Sequence, residues 1–339
     1  MSNDILQYQI GLTLMKGIGT QLAKNLIAYV GSVEGVFKEK KQNLEKIPGI
    51  GSVLSNQIVK SNVLKRAEKE ILFIEKNKIE TYFFTDKNYP FRLKECYDAP
   101  IMLYFKGNQS LSNQKMIGIV GTRNITDNGK KICTEIVEDI VKKLSNVTLV
   151  SGLAYGVDIC SHKVAVKNKL SNIGVLGHGL DRIYPAIHRS IAKKIIENGG
   201  LLSEYISETN PDRQNFVKRN RIIAGLCDAI IIIESDKKGG SLITAEYANN
   251  YNRDVFAIPG RVDDTFSKGC NNLIKYNKAG LITSTNDLIR AMNWEEIENS
   301  SQNKKQEIQL SLFENLTSEE QTILSKLKKE PNGINVNEL

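Results

Sequence analysis

Ile117-Gly118-Ile119-Val120-Gly121-Thr122-Arg123 is a β-branched run that stops on a glycine turn, and it sets the pattern of the chain as far as Gly260. An apolar run, a Gly-rich turn and a helical stretch recur at Ser151-Gly152-Leu153-Ala154-Tyr155-Gly156, at Gly177-His178-Gly179 and at Gly239-Gly240-Ser241. The strands expected from these runs are 117–120, 149–151, 173–176, 201–203, 229–234, 255–258 and 281–283. Helical spacing fills the gaps at 127–144, 158–167, 188–198, 213–226, 242–252 and 270–278. Unbroken Ile and Val runs need apolar cover on both faces. Their alternation with helices therefore predicts an α/β fold with a doubly wound, mostly parallel, Rossmann-like sheet. In such a sheet the turns gather at the carboxyl ends of the strands, where helix N-termini attract anions. The ligand expected is one that bears phosphate.

Residues 1–80 read differently, with helical periodicity and two related turns, Lys16-Gly17-Ile18-Gly19 and Ile47-Pro48-Gly49-Ile50-Gly51. Each precedes a short amphipathic stretch, 22–30 and 53–61, which predicts a small all-α domain of paired helix-hairpin-helix units. Glycines in these turns either let backbone N–H groups approach a DNA phosphate or simply close a tight helical hairpin. Residues 82–105, punctuated by Tyr89-Pro90 and Ala99-Pro100, are too aromatic for a free linker and read as a strand-containing lead-in packed on the main domain, 81–295. A polar stretch, 296–315, has the composition of a linker. Beyond it Thr317-Ser318-Glu319-Glu320 supplies an N-cap and acidic first turn to a short helical C-terminal segment, 316–339.

The formal charge of +8 on 339 residues suits polyanionic partners. Five cysteines without a CxxC pair, beside only three histidines, do not make a zinc site or a disulfide frame, and they fit a reduced, cytoplasmic setting. Nowhere do about 18 uncharged apolar residues run together, so no membrane span is expected. No cofactor signature stands out. Gly177-His178-Gly179-Leu180-Asp181-Arg182 places arginine where a dinucleotide fingerprint needs its third glycine, and no phosphate-binding loop of the nucleotide-hydrolysing type occurs. His162, His178 and His188 are spread over three elements and no GxSxG frames a serine, so no catalytic residue and no metal ligand is assigned. Strand-end carboxylates, Asp158, Glu204, Glu234 and Glu246, can serve catalysis or hold loops together by accepting N–H bonds, and the structural role is favoured for Asp158 and Glu204.

Cations are better placed. Arg123 directly follows the first turn, Lys218-Arg219-Asn220-Arg221 opens the helix before the Ala229 strand, and His188-Arg189 begins another. Cations at several helix starts would track successive phosphates, which suits a nucleic-acid strand better than one nucleotide. The competing expectation is a solvated basic rim with Arg221 paired to an acid such as Glu204. Tyr155 or Phe216 would lie against a base face, or Phe216 would belong to the core.

Six linked segments carry a family resemblance: Ile119 to Arg123, Val150 to Asp158, Gly179 to Pro185, Leu202 to Tyr205, Phe216 to Leu226, and Gly240-Ser241-Leu242-Ile243-Thr244-Ala245. In this order they resemble the DNA-processing protein A (DprA/Smf) family. The resemblance implies an N-terminal helix-hairpin-helix-like domain, an extended Rossmann domain and a partial winged-helix-like module at the C-terminal end. It also implies a non-catalytic protein that binds single-stranded DNA during natural transformation, protects it, loads the recombinase RecA and dimerises through the Rossmann domain. The DNA-contacting set then expected is Gly121, Thr122, Arg123, Ser151, Gly152, Tyr155, His188, Arg189, Lys218, Arg219, Asn220, Arg221, Gly240 and Ser241. Arg123 and the Lys218 to Arg221 run match the family's cleft. After Tyr184-Pro185, however, Ala186 and Ile187 stand where relatives carry an early basic residue. The alternative is an enzyme, because Gly239 to Glu246 is similar to a segment of Rossmann-type nucleotide phosphoribohydrolases, although Lys238 replaces the expected proline.

Overall fold

The computed structural model describes residues 3–296. The expected linker, from residue 297 on, and the expected C-terminal module lie outside the described residues. Six helices open the chain: α1 (Asn3–Thr13), α2 (Thr20–Val30), α3 (Val33–Lys38), α4 (Lys41–Leu44), α5 (Ser52–Val59) and α6 (Val63–Asn77). The two glycine turns lead into α2 and α5, whose N-caps, Gly19 and Gly51, are extended and lack a side-chain cap. The hairpins interlock, since a methyl group added to Gly17 would meet the Leu54 side chain and one added to Gly49 would meet Leu22. Ile10, Leu12, Leu26, Leu44 and Ile58 fill the space between the helices and are almost wholly buried, at about 1.5–3 kcal/mol each.

The sheet follows: β1 (Glu80–Phe83), α7 (Phe91–Lys94), β2 (Met102–Gly107), β3 (Lys115–Val120), α8 (Asp127–Lys143), β4 (Val147–Ser151), α9 (Val157–Lys167), β5 (Ser171–Leu176), α10 (Arg189–Glu197), β6 (Gly199–Ser203), α11 (Arg213–Leu226), β7 (Ala229–Ile232), α12 (Gly240–Asn250), β8 (Asp254–Ala257), α13 (Lys268–Lys275), β9 (Gly280–Leu281) and α14 (Thr285–Met292). Strand order is β1-β2-β6-β5-β4-β3-β7-β8-β9. β3 to β9 run parallel, whereas β2 joins β6 antiparallel and β1 joins β2 antiparallel. The doubly wound α/β expectation holds, and the lead-in supplies the two antiparallel edge strands.

Period-two alternation explains the double cover. Ile117 and Ile119 of β3, with Ala229 and Ile231 of β7, face Cys133, Ile136, Val137 and Ile140 of α8 and Val157 of α9. Their neighbours Met116, Val120, Ile230 and Ile232 face the other way, onto Ile222, Ile223 and Leu226 of α11 and Ala245 and Ala248 of α12. The N-terminal helices share a third core with Phe83, Met102 and Tyr104 of the edge strands. At the amino end of β3 and β7 the buried Arg92 clamps Asp228 from two sides, Nε to Oδ1 at 2.6 Å and Nη2 to Oδ2 at 2.8 Å, and Asp228 also accepts the Met116 N–H at 2.8 Å. This brace leaves the carboxyl ends of the strands as the open rim.

Candidate nucleic-acid interface

From β3 the chain steps outward through β4, β5 and β6, then crosses back to lay β7 on the other side of β3. The loops after β3 and β7 therefore part, and in an open α/β sheet that switch point is where ligands bind. A cleft of about 550 Å³ lies there, lined among others by Gly121, Thr122, Arg123, Asp158, Arg213, Phe216, Arg219, Asn220, Asp236, Lys238, Gly240 and Ser241.

The stem beneath Arg123 is fixed by backbone bonds. Thr122 N–H donates to Glu234 O at 2.7 Å, and Thr122 O accepts from Val157 N–H at 3.1 Å. Gly156 makes the second contact possible, because its φ is +77° and a Cβ there would stand 2.1 Å from Thr122 O. Glu234 binds the next turn with its side chain, accepting from Thr126 N–H at 2.9 Å and from Thr126 Oγ1 at 2.5 Å. Arg123 rises from this stem exposed and free of partners among the described residues.

Arg219 has a different setting. Although cleft-lining, it is buried, and Nη1 donates to Gly152 O at 2.7 Å and to Val175 O, the carbonyls at the ends of β4 and β5. Burial pulls its pKa down to about 10, opposed by the Asp158 carboxylate, so the guanidinium stays charged at neutral pH. Burial also raises the Asp158 carboxyl above its usual range, while Arg219 and backbone N–H bonds from this turn hold it down. Arg213 at the start of α11 and Lys238 before α12 are exposed and bring two more cations to the cleft. α12 starts at Gly239 without a side-chain cap, and around Gly240 the space is open, so its first N–H groups are available to an anion.

The expected residues divide. Gly121, Thr122, Arg123, Arg219, Asn220, Gly240 and Ser241 meet in the cleft. Ser151 is buried and donates Oγ to Ile119 O at 2.6 Å, while Gly152 holds Arg219 through its carbonyl. Lys218 is exposed beside the cleft rather than in it. The Lys218 to Arg221 run also sits inside α11, whose opening residue is Arg213, so it does not open the helix as expected. Arg221 turns to an ion pair with Glu204 and donates to Asp98 O at 2.8 Å, as the competing expectation had it. His188 is buried with Nδ1 2.8 Å from Leu153 O, and Tyr155 stands exposed, edge-on to its ring at 5.1 Å.

His188-Arg189 begins α10 after β5, and this helix packs on β5 and β6 rather than at the switch point, so neither residue lines the cleft. Arg189 instead lines a separate hollow with Lys106, Arg182 and Lys193. Arg213 carries no local signal in the sequence, being a lone cation, whereas Lys238 follows Lys237 directly before the Gly239-Gly240 turn, a signal that the reading of cations at helix starts passed over. Phe216 lines the cleft half-buried, its ring 5.7 Å from that of exposed Tyr184. Glu246, the carboxylate an enzymatic reading would need, faces a different groove, between α12 and α13. Among the described residues no cluster of His, Cys, Asp or Glu could hold a metal ion, and no helix is long and apolar enough to cross a membrane.

Four cations and an uncapped helix start thus meet at the switch point of a Rossmann-like sheet, an arrangement that suits a phosphate-bearing ligand. The pattern of one family, DNA recombination-mediator protein A, matches residues 80–293, and the chain belongs to that family. Protein Smf of Synechocystis sp. is 37% identical over 300 residues, 86% of this chain and 74% of its own. DNA processing protein DprA of Bacillus subtilis is 40% identical over 215 residues, 63% of this chain and 71% of its own. The X-ray structure of DNA processing protein A from Streptococcus pneumoniae superposes with a TM-score of 0.72 at 31% identity, covering 86% of this chain and 97% of that one. DNA processing protein A from Helicobacter pylori, whose structure is described with its single-stranded DNA binding mode, gives 0.57 at 29% identity over 64% of this chain and 96% of that one.

Proposed function

We propose that this protein is a recombination mediator that binds single-stranded DNA in the switch-point cleft, protects incoming strands and loads RecA during natural transformation, acting in the cytoplasm as a dimer formed through the Rossmann domain. The observation that carries the reading is the meeting of Arg123, Arg213, Arg219 and Lys238 with the open N-terminus of α12 in one cleft, in a chain whose Helicobacter pylori relative binds single strands. Cations and backbone N–H groups are donors that suit phosphate oxygens without reading sequence. The cleft offers half-buried Phe216 as a surface for an unstacked base.

Arg123→Glu is the direct test, because Arg123 has no structural partner to lose. Its affinity for oligothymidine is expected to fall at least tenfold, with a salt slope shallower by about 0.7 for each phosphate no longer neutralised. Unchanged binding by the folded variant sinks the assignment. The finer roles need their own measurements: strand exchange by RecA on protein-coated single strands, and sedimentation for the dimer. The enzymatic alternative predicts release of free base from AMP. With Glu246 turned to another groove, none is expected.

A further inference from the structure

We propose that the hollow bounded by Lys106, Arg182, Arg189 and Lys193 is a second phosphate-binding station, which takes the next segment of the strand held in the switch-point cleft. The inference rests on the cleft being a single-strand site and adds a path out of it. The hollow, about 250 Å³, lies beside α10, with Ala192 in its wall. Its cations come from three separate elements: Lys106 from β2, Arg182 from the segment after β5, and Arg189 with Lys193 from α10.

Arg189 and Lys193 are four apart on one helix face, a like-charge spacing that costs the helix stability. Neither their side chains nor that of Lys106 has an ion pair or hydrogen bond among the described residues. Arg182 is held in place, Nε donating to Asp181 Oδ2 at 2.9 Å and Nη1 to Asn210 Oδ1 at 3.1 Å. Four cations thus surround one lining carboxylate, Asp181, and a concave wall of like charges focuses their field on the space between them. Folding gains nothing from this arrangement, whereas an anion does.

Continuity with the cleft selects the anion. Phe216 lines the cleft, exposed Tyr184 lies against it with ring centroids 5.7 Å apart, and Ile183, the residue before Tyr184, lines the hollow. A strand leaving the cleft over Phe216 and Tyr184 arrives at the hollow, and an exposed aromatic ring suits an unpaired base between two backbone-binding stations.

The test measures binding of the full chain to short and long oligothymidines, of about six and about twenty nucleotides, at two salt concentrations. The variants are Lys106→Gln with Lys193→Glu, and Lys193→Glu alone, which alters only an exposed helix residue. Both are expected to bind the short strand within about twofold of the parent. The double variant should lose roughly tenfold on the long strand, with a salt slope lower by about 1.4, as two phosphates left without a cation would give. Equal long-strand affinity in parent and variants overturns the station while leaving the cleft intact, and so does an equal loss on both lengths. A parent that binds neither strand overturns the cleft reading itself. Inorganic phosphate that displaces the long strand from the parent at millimolar concentration, but not from the double variant, reassigns the hollow to a free anion.

Discussion

His162 illustrates how far burial alone sets the state of a side chain. It is wholly enclosed on α9, with Nδ1 3.0 Å from Asn172 Oδ1. Burial drags its pKa to about 4, against the small upward pull of the Asn172 bond. In the unfolded chain the imidazole titrates near 6.5, so between about pH 6.5 and 4 the unfolded state binds more protons and stability falls as pH falls. The loss at the acid end of this window is about 3 kcal/mol. Urea unfolding across the window should show it, and His162→Gln, which retains a hydrogen-bonding side chain, should flatten it. A parent whose unfolding midpoint does not move between these pH values would mean that the ring is not held neutral.

At the level of elements, α6 holds the loop that delivers α11 to the cleft. Glu70 is buried, accepting from Ser207 N–H at 2.9 Å and from Ser207 Oγ at 2.5 Å, and Arg66 pairs with it at 2.9 Å while donating to Ser207 O at 2.6 Å. Glu70→Ala strands the buried Ser207 N–H and leaves Arg66 with only its longer ion pair to Glu208, at 3.8 Å. Stability should drop by roughly 3 kcal/mol, read by denaturant titration. A change under about 0.5 kcal/mol would class the interaction with ordinary surface pairs. This link joins residues that are 137 apart in sequence, so no local pattern could announce it. What local pattern could announce was legible: the Ile117, Ala229 and Val255 runs became strands because β-branched residues on both faces leave few other folds. α14 was not among the expected helices although Ser284 and Asp287 form a reciprocal cap, a signal that the sequence does carry. Arg219 was legible as a cleft residue, yet its burial was not, because only the converging ends of β4 and β5 supply the carbonyls that let a guanidinium leave water.

Across the whole molecule, the cations gather on the carboxyl side of the sheet while the Arg92–Asp228 brace closes the opposite end. A formal charge of +8 draws any nucleic acid at low salt, so selectivity has to come from shape. The cleft lies between loops and is lined by half-buried Phe216, the surface that the proposed single-strand reading gives to an unpaired base. Duplex competitor, matched in nucleotides, is therefore expected to displace labelled oligothymidine at least tenfold less well than unlabelled single strand near physiological salt. Equal competition would point to backbone charge as the whole of recognition.

The bonds on either side of Thr122 bear on the thermodynamics of ligand capture. Its N–H is held by Glu234 and its carbonyl by Val157, so the backbone that carries Arg123 is already immobile before any strand arrives. Freezing a free loop would cost about 1–2 kcal/mol per residue in lost backbone freedom. Here that loss is already taken in the fold, so on the proposed reading only the Arg123 side chain would be left for a docking phosphate to order.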